Sequence, residues 1–265
     1  MELVEFCDSG MGFRFPKSAM WQCRGFESAE TAVVNRLAEY CQLFVDVGAN
    51  NGLYSMIAFK RGLRVIAVEP SPENLYYLCR TCLENGAGDV EVLGLALGAK
   101  VTILELHGRG VLASLDEHWA VEHNKNPLNR PTLVPVNTLD NVVRGRCVNR
   151  DRALIKVDVE GTEWEVLRGS RECLDMRPGA VWLMEITLVA KRQVPNVNFE
   201  RTFGPFFERS YRVYGVTEKS IRQTSREDVA RWQESGSQEF YCQNWMFLPP
   251  DLPACDVEKL LQVRA

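Results

Sequence analysis

The stretch LFVDVGANNGLYS, Leu43 to Ser55, constrains this chain more tightly than any other. Leu43, Phe44, Val45 and Val47 surround Asp46 in an apolar run of the kind that forms a strand buried on both faces. The run breaks at once into Gly48, Ala49, Asn50, Asn51 and Gly52, and helical residues resume at Leu53, Tyr54 and Ser55. A strand, a tight loop and a helix start are the predicted result. Two glycines let the backbone approach a ligand with no Cβ in the way, and the following helix aims unpaired N–H groups into the same crevice. The expected ligand is a nucleotide or a molecule shaped like one.

Spacing narrows the choice. A dinucleotide-binding turn needs glycines at the first, third and sixth places of a GxGxxG run, and here those places hold Gly48, Asn50 and Leu53. An acidic residue does stand at the tip of the next predicted strand. It is Glu69 in RVIAVEP, about twenty residues past the first glycine, where a carboxylate accepts hydrogen bonds from both ribose hydroxyls. The pocket is therefore expected to hold a nucleoside without a tightly gripped pyrophosphate.

Three successive runs, VDVGANNGLYS, VIAVEPSPENLYYL and LIKVDVEGTEWEVLRGS, resemble the motifs of FkbM-type methyltransferases, which use S-adenosylmethionine (SAM). The resemblance extends from Cys41 to Thr187, and its most distinctive part is the KxDxEGxE run from Lys156 to Glu163. It implies a doubly wound α/β fold of the class I SAM-methyltransferase, Rossmann-like type, with a mostly parallel sheet of about seven strands and an antiparallel strand at one edge. It also implies the donor's surroundings. Gly48, Asn50 and Gly52 would surround the methionine portion, with Ala49, Tyr54 and Ser55 as further donor-binding candidates and Asp46 either another or a residue that only hydrogen-bonds the glycine loop. Glu69, flanked by Pro70, Ser71 and Asn74, would take the ribose. Ala96 and Leu97, at the turn to Gly98, would meet the adenine edge, with Ser114 a further adenine-side candidate and Asp158 nearest the methyl.

At 265 residues the chain fits a single large α/β domain. Residues 1–40 are expected to form a cap and a helix, residues 41–187 the motif-bearing core, and residues 188–265 further strands and a helix. In the cap, Phe6, Phe13, Phe15 and Trp21 predict a short hairpin packed on the domain, and Ser28 is a candidate N-cap for a helix reaching Tyr40. Further strands are predicted at Arg64–Val68, Leu154–Val159, Val181–Ile186, Arg212–Val216 and Asn244–Leu248, with a helix from Pro72 to Asn85. Val90–Ala96 and Val101–Leu106 read as a hairpin turned by Gly98-Ala99-Lys100. The segment from His107 to Pro131 interrupts the alternation and carries all three histidines, His107, His118 and His123, beside Trp119. So long a connection is expected to be a lid on the substrate side.

Composition mainly excludes. A hydrophobic content of 46% with 25% charged residues points away from disorder and from a membrane protein, and no window approaches the roughly eighteen apolar residues of a span. The net charge of -4 argues against a nucleic-acid backbone as the main substrate; the four arginines between Arg144 and Arg152 read as a solvated loop. Nine scattered cysteines, with Cys79 and Cys82 the only CxxC and no second pair, predict thiols of a reducing compartment rather than zinc. MELVEFCDSG lacks an apolar signal core, so a cytoplasmic protein is expected.

Methyl transfer from a sulfonium is an in-line displacement, in which the acceptor's lone pair must be aligned with the S–CH3 bond. A hydroxyl acceptor must also lose its proton, to a base or with the help of a metal. Asp158 is the first candidate base, Glu160 and Glu185 are alternatives, and His118 or His123 could be delivered by the lid. Lys156 and Asp158, two apart on one strand face, could instead form an ion pair, and Glu160 and Glu163 could stabilise the helix start that follows. The carboxylates could take magnesium, but their spacing does not require it, and no metal ligand is assigned. The resemblance supplies the acceptor class: a hydroxyl of a sugar, glycan or secondary metabolite. SAM-dependent N-methylation and a non-catalytic nucleoside-binding or interaction protein of the same fold stay open as alternatives.

Overall fold

The computed structural model describes residues 4–23, 28–119, 130–148, 151–189 and 194–253. The first aromatic residues form the expected hairpin, β1 (Phe6–Asp8) antiparallel to β2 (Arg14–Pro16), with Phe13 and Phe15 buried. A 3-10 helix (Lys17–Cys23) and α1 (Ser28–Leu37) follow. The next five elements are β3 (Leu43–Val47), α2 (Leu53–Lys60), β4 (Arg64–Val68), α3 (Pro72–Glu84) and β5 (Glu91–Leu93). Helix α3 starts where the sequence places it, with Pro72 in its first turn and Glu73 near its positive end.

The chain then leaves this alternation through β6 (Ala96–Leu97), β7 (Thr102–Leu106), β8 (Thr132–Asn137) and α4 (Leu139–Val143). It returns with β9 (Ala153–Val157), α5 (Glu163–Arg168), α6 (Arg171–Leu174) and β10 (Val181–Glu185). The last elements are α7 (Phe199–Glu208), β11 (Arg212–Thr217), β12 (Ser220–Thr224), α8 (Arg226–Ser235) and β13 (Asn244–Leu248).

Eight strands make the main sheet, in the order β12-β11-β13-β10-β9-β3-β4-β5. The run from β10 to β5 is parallel, and β12 pairs antiparallel at the edge as an eighth strand. A second antiparallel strand, β13, is inserted between β10 and β11. The chain steps from β3 outward to β4 and β5, then crosses back to β9 on the other side of β3. Strand order therefore reverses between β3 and β9, the place where such sheets hold their ligands.

Strand alternation sorts the core into two layers. Phe44 and Leu154 point into the layer covered by α1, α2 and α3, whereas Val45, Val47, Ile155 and Val157 point into the layer on the opposite face. Strand β3 is buried at all five positions, which is why its sequence is apolar on both faces. The C-terminal strands are fixed by aromatic packing. Phe199, Phe203 and Phe206 of α7 are fully buried, and Phe206 stacks on Phe247 of β13 with ring centroids 3.9 Å apart.

The hairpin expected between residues 90–96 and 101–106 does not form. Leu95 folds back to donate to the Leu93 carbonyl, so β5 ends in the main sheet and β6 begins a separate one. In that three-stranded sheet the order is β6-β8-β7, with β8 parallel to β6 and antiparallel to β7. Strand β8 takes the partner position because Val134 and Val136 bury there against Ala96 and Leu106.

Candidate active site

The loop after β3 is tied into a fixed shape by its neighbours. Gly48 N and Ala49 N both donate to the Val68 carbonyl at the end of β4, and Asp158 N donates to the Val47 carbonyl. Gly48 has φ +83°, and a Cβ built there would overlap the Asp158 carbonyl oxygen. Only glycine meets both conditions. Asn50 also sits in the left-handed region, at φ 52°, which asparagine tolerates better than most residues.

This geometry turns the Asn50 N–H toward Glu69, whose Oε2 it reaches at 2.8 Å. Ser71 N donates to the other carboxylate oxygen at 2.8 Å, and Asn74 Nδ2 reaches it at 3.4 Å. Glu69 is 4% exposed, and burial pushes its pKa up to about 7 against the pull of these hydrogen bonds. A carboxylate has about four acceptor positions and three are taken, so Oε2 keeps one for a hydroxyl donor.

Asp46 faces its register partner Lys156 on β9. It is buried, accepts from Ser55 Oγ at 2.6 Å, and is held above the usual carboxylate range by desolvation, with Lys156 pulling the other way. Lys156 Nζ donates to Asp158 Oδ2 at 2.8 Å and lies 4.6 Å from the centre of the Tyr54 ring. The ion pair read as an alternative for Lys156 and Asp158 is thus present. Glu163 is also a turn-former: its Oε1 accepts from Gly161 N at 3.0 Å, and burial pushes its pKa up to about 7.

These elements border one cavity of about 610 Å³. Of the donor-side candidates, Gly48, Ala49, Asn50, Tyr54, Glu69, Pro70, Asn74, Ala96, Leu97 and Ser114 line it, and so do Asp158, Glu160 and Glu185 of the candidate bases. Four others stand behind the wall instead. Asp46 and Ser55 bond to each other beneath the loop, Gly52 opens α2 against Leu78, and Ser71 acts through its backbone N–H on Glu69. His118 is not on the wall; its side chain is 77% exposed beside Glu117, and its backbone N–H donates to Asp116 Oδ1 at 2.8 Å. His123 lies outside the described residues. Among the described residues no three His, Cys, Asp or Glu side chains group as a metal site, so the Asp158, Glu160 and Glu185 trio stands as separate carboxylates.

The described part of the expected lid spans from the start of α3, near Glu69, to the loop after β9. Asn74 Nδ2 donates to the Gly110 carbonyl at 3.0 Å, Ser114 Oγ donates to the Glu160 carbonyl at 2.7 Å, and the Trp119 ring packs on Gly161. Sequence reasoning missed part of the opposite wall: Trp21, Gln22, Glu30, Thr217, Tyr241 and Asn244. A polar residue inside the otherwise apolar stripe of α1, Glu30 beside Ala29 and Val33, was the available signal for one of them.

The methyltransferase FkbM domain family matches residues 46–213, more than half of the chain. The chain belongs to the FkbM methyltransferase family. No curated protein matches it. Solved structures similar to this FkbM methyltransferase include a precorrin-6y C5,15-methyltransferase from Geobacter metallireducens, at 12% identity over 83% of this chain and 86% of that one, with a TM-score of 0.41. An rRNA methylase from Streptococcus thermophilus is 15% identical over 82% and 92%, with a TM-score of 0.43. An O-methyltransferase from Bacillus cereus, in complex with SAH, is 14% identical over 83% and 80%, with a TM-score of 0.35. These likenesses are loose, and the architecture rests on the strand order of the chain itself. Among the described residues no helix is long and apolar enough to cross a membrane.

The FkbM methyltransferase uses SAM, and the wall is chemically suited to it. The cavity falls in the size range of small-molecule sites. Asn50 Oδ1, on the wall, is buried with no hydrogen-bond partner among the described residues, which leaves an acceptor for a ligand's donor.

Proposed function

We propose that this enzyme methylates a hydroxyl group, on a sugar, glycan or secondary metabolite, with Glu69 binding the donor's ribose and Asp158 receiving the acceptor's proton. The observation that carries this reading is the shared cavity, which has Glu69 at one strand tip and Asp158 two strands away. Bound SAM supplies a methyl group on a positively charged sulfur, ready for in-line attack. The chain's own part is to hold, align and deprotonate. Gly48, Ala49 and Asn50 form a loop braced by Val68, so the methionine portion meets a pre-set surface rather than one it must order. Asp158 has its carboxylate fixed by Lys156, which orients the oxygen that accepts the hydroxyl proton. Glu160 and Glu185 border the same space as alternative bases.

The reading is tested by incubating the protein with labelled SAM and a panel of hydroxyl and amine acceptors, with and without EDTA, and identifying the methylated atom by NMR. An O-methyl product formed in EDTA is expected. An N-methyl product would overturn the hydroxyl assignment.

Glu69 gives the donor site a defined pH dependence. Its carboxylate accepts ribose hydroxyls more strongly ionised than protonated, so affinity for S-adenosylhomocysteine (SAH) should be highest above pH 7 and weaken below it, by no more than about tenfold per unit. Stability of the ligand-free protein should run the other way. Glu69 and Glu163 bind protons more tightly folded than unfolded, so their contribution is greatest at low pH and is lost as pH rises from 4.5 to about 7. Calorimetric titration across this range checks the first trend, and Glu69→Gln should both weaken binding and flatten it. A pH-independent SAH affinity in the unmutated protein would remove Glu69 from the ribose site.

A further inference from the structure

The cavity is longer than its donor half. Its wall reaches from the tip of β4, at Glu69, to the end of β11, at Thr217, which is five strand spacings or about 24 Å across the sheet. Glu69, Asn50 and the 110–115 segment cluster at the β3 and β4 end. At the β10, β13 and β11 end, Glu185 of the family-matched region is joined by a different set of residues, Trp21, Gln22, Glu30, Thr217, Tyr241 and Asn244, which come from the two parts of the chain outside it.

Those two parts are joined directly. Asn244 Nδ2, at the start of β13, donates to Glu30 Oε1 of α1 at 2.7 Å, a bond between residues 214 apart in sequence. Glu30 is 7% exposed and Gln22, on the preceding 3-10 helix, is 6% exposed, yet both face the cavity. Gln22 has no side-chain hydrogen bond to any described residue. A buried carboxamide turned to a cavity carries a donor and an acceptor that a ligand must satisfy. Trp21 next to it lines the cavity with 45% of its surface exposed, offering an apolar face.

Resting on the methyltransferase reading above, the geometry points to this end as the acceptor subsite, built for an uncharged polyhydroxylated ring. Gln22, Glu30 and Asn244 bind its hydroxyls, and Trp21 packs on its C–H face. A hydroxyl both donates and accepts, and carboxamides with a carboxylate match that pairing, while an aromatic face matches the flat side of a ring. Among the described residues on the wall the basic side chain is Lys156, and it already donates to Asp158. A phosphorylated acceptor therefore meets carboxylates without a compensating cation among those residues.

Saturation-transfer NMR on the full-length protein with SAH tests this, using methyl α-D-glucopyranoside as probe and glucose 1-phosphate as its anionic counterpart. Transfer to the ring protons of the glucoside is expected, with at least threefold less to the phosphate. Trp21→Ala and Gln22→Leu should each reduce the glucoside signal at least threefold while SAH affinity stays within twofold. Trp21 is at the surface, so its variant retains the fold. No transfer to the glucoside, or transfer that neither substitution lowers, would overturn the subsite. Failure of SAH itself to bind would instead overturn the donor site, leaving the two outcomes separable.

Discussion

Gly48→Ala should unfold about 10 °C below the unmutated protein and lose measurable SAH binding. Two costs add. An L-residue at φ +83° is strained by roughly 1 kcal/mol, and a methyl group pressed into the Asp158 carbonyl forces the tips of β3 and β9 apart for about 2 kcal/mol more. For a domain of this size about 3 kcal/mol corresponds to a shift of about 10 °C. Gly62 provides the control. It has nearly the same φ, +82°, but a Cβ there meets nothing within 4 Å. Gly62→Ala should therefore show only the backbone cost and bind SAH normally. Thermal melts and calorimetry of the two variants read the difference directly; equal effects would mean that the close approach of β9 to the loop is unimportant.

That approach illustrates which parts of the site were legible in the sequence. Strands β3 and β4 have the bounds their apolar runs predict, and Glu69 stands at the tip where its spacing puts it. Local signals suffice there because a strand buried on both faces has few sequences open to it. The reason for Gly48 was not legible, since it depends on Asp158, which is distant in sequence. The same holds at the opposite end of the cavity. Gln22, Glu30 and Asn244 belong to no motif, and only the folding of both chain ends onto the sheet brings them together.

Other misreadings have physical causes too. Adjacency and the Gly98-Ala99-Lys100 turn predict the hairpin at residues 90–106. Burial of Val134 and Val136 made β8 the better partner, a competition that no local window contains. His118 drew notice for its residue type, and its exposure shows that type without packing says little about place.

Asp158→Asn should lower the rate of methyl transfer to a hydroxyl acceptor by about 10² to 10⁴, the usual worth of a positioned base. Asparagine keeps the shape of the side chain but cannot take a proton. The substitution has a second consequence, because Lys156, with its side chain only 5% exposed, loses the carboxylate it donates to. Breaking one side of a buried pair is itself destabilising, by about 3 to 5 kcal/mol where burial is complete. A rate loss in the single variant therefore needs a partner experiment. Lys156→Met combined with Asp158→Asn removes both charges and leaves buried Asp46, which Lys156 also faces, favoured in its protonated form, so the double variant should recover part of the thermal stability without recovering the rate. SAH affinity should stay within about fivefold in the double variant, since the ribose is held at Glu69 and the loop is braced by Val68. Initial rates with labelled SAM on the acceptor identified in the screen, beside melting curves, separate the two effects. Were the double variant to regain both stability and rate, Asp158 would be a structural counter-ion, and the proton would have to pass to Glu160 or Glu185 or, for an amine acceptor, to water.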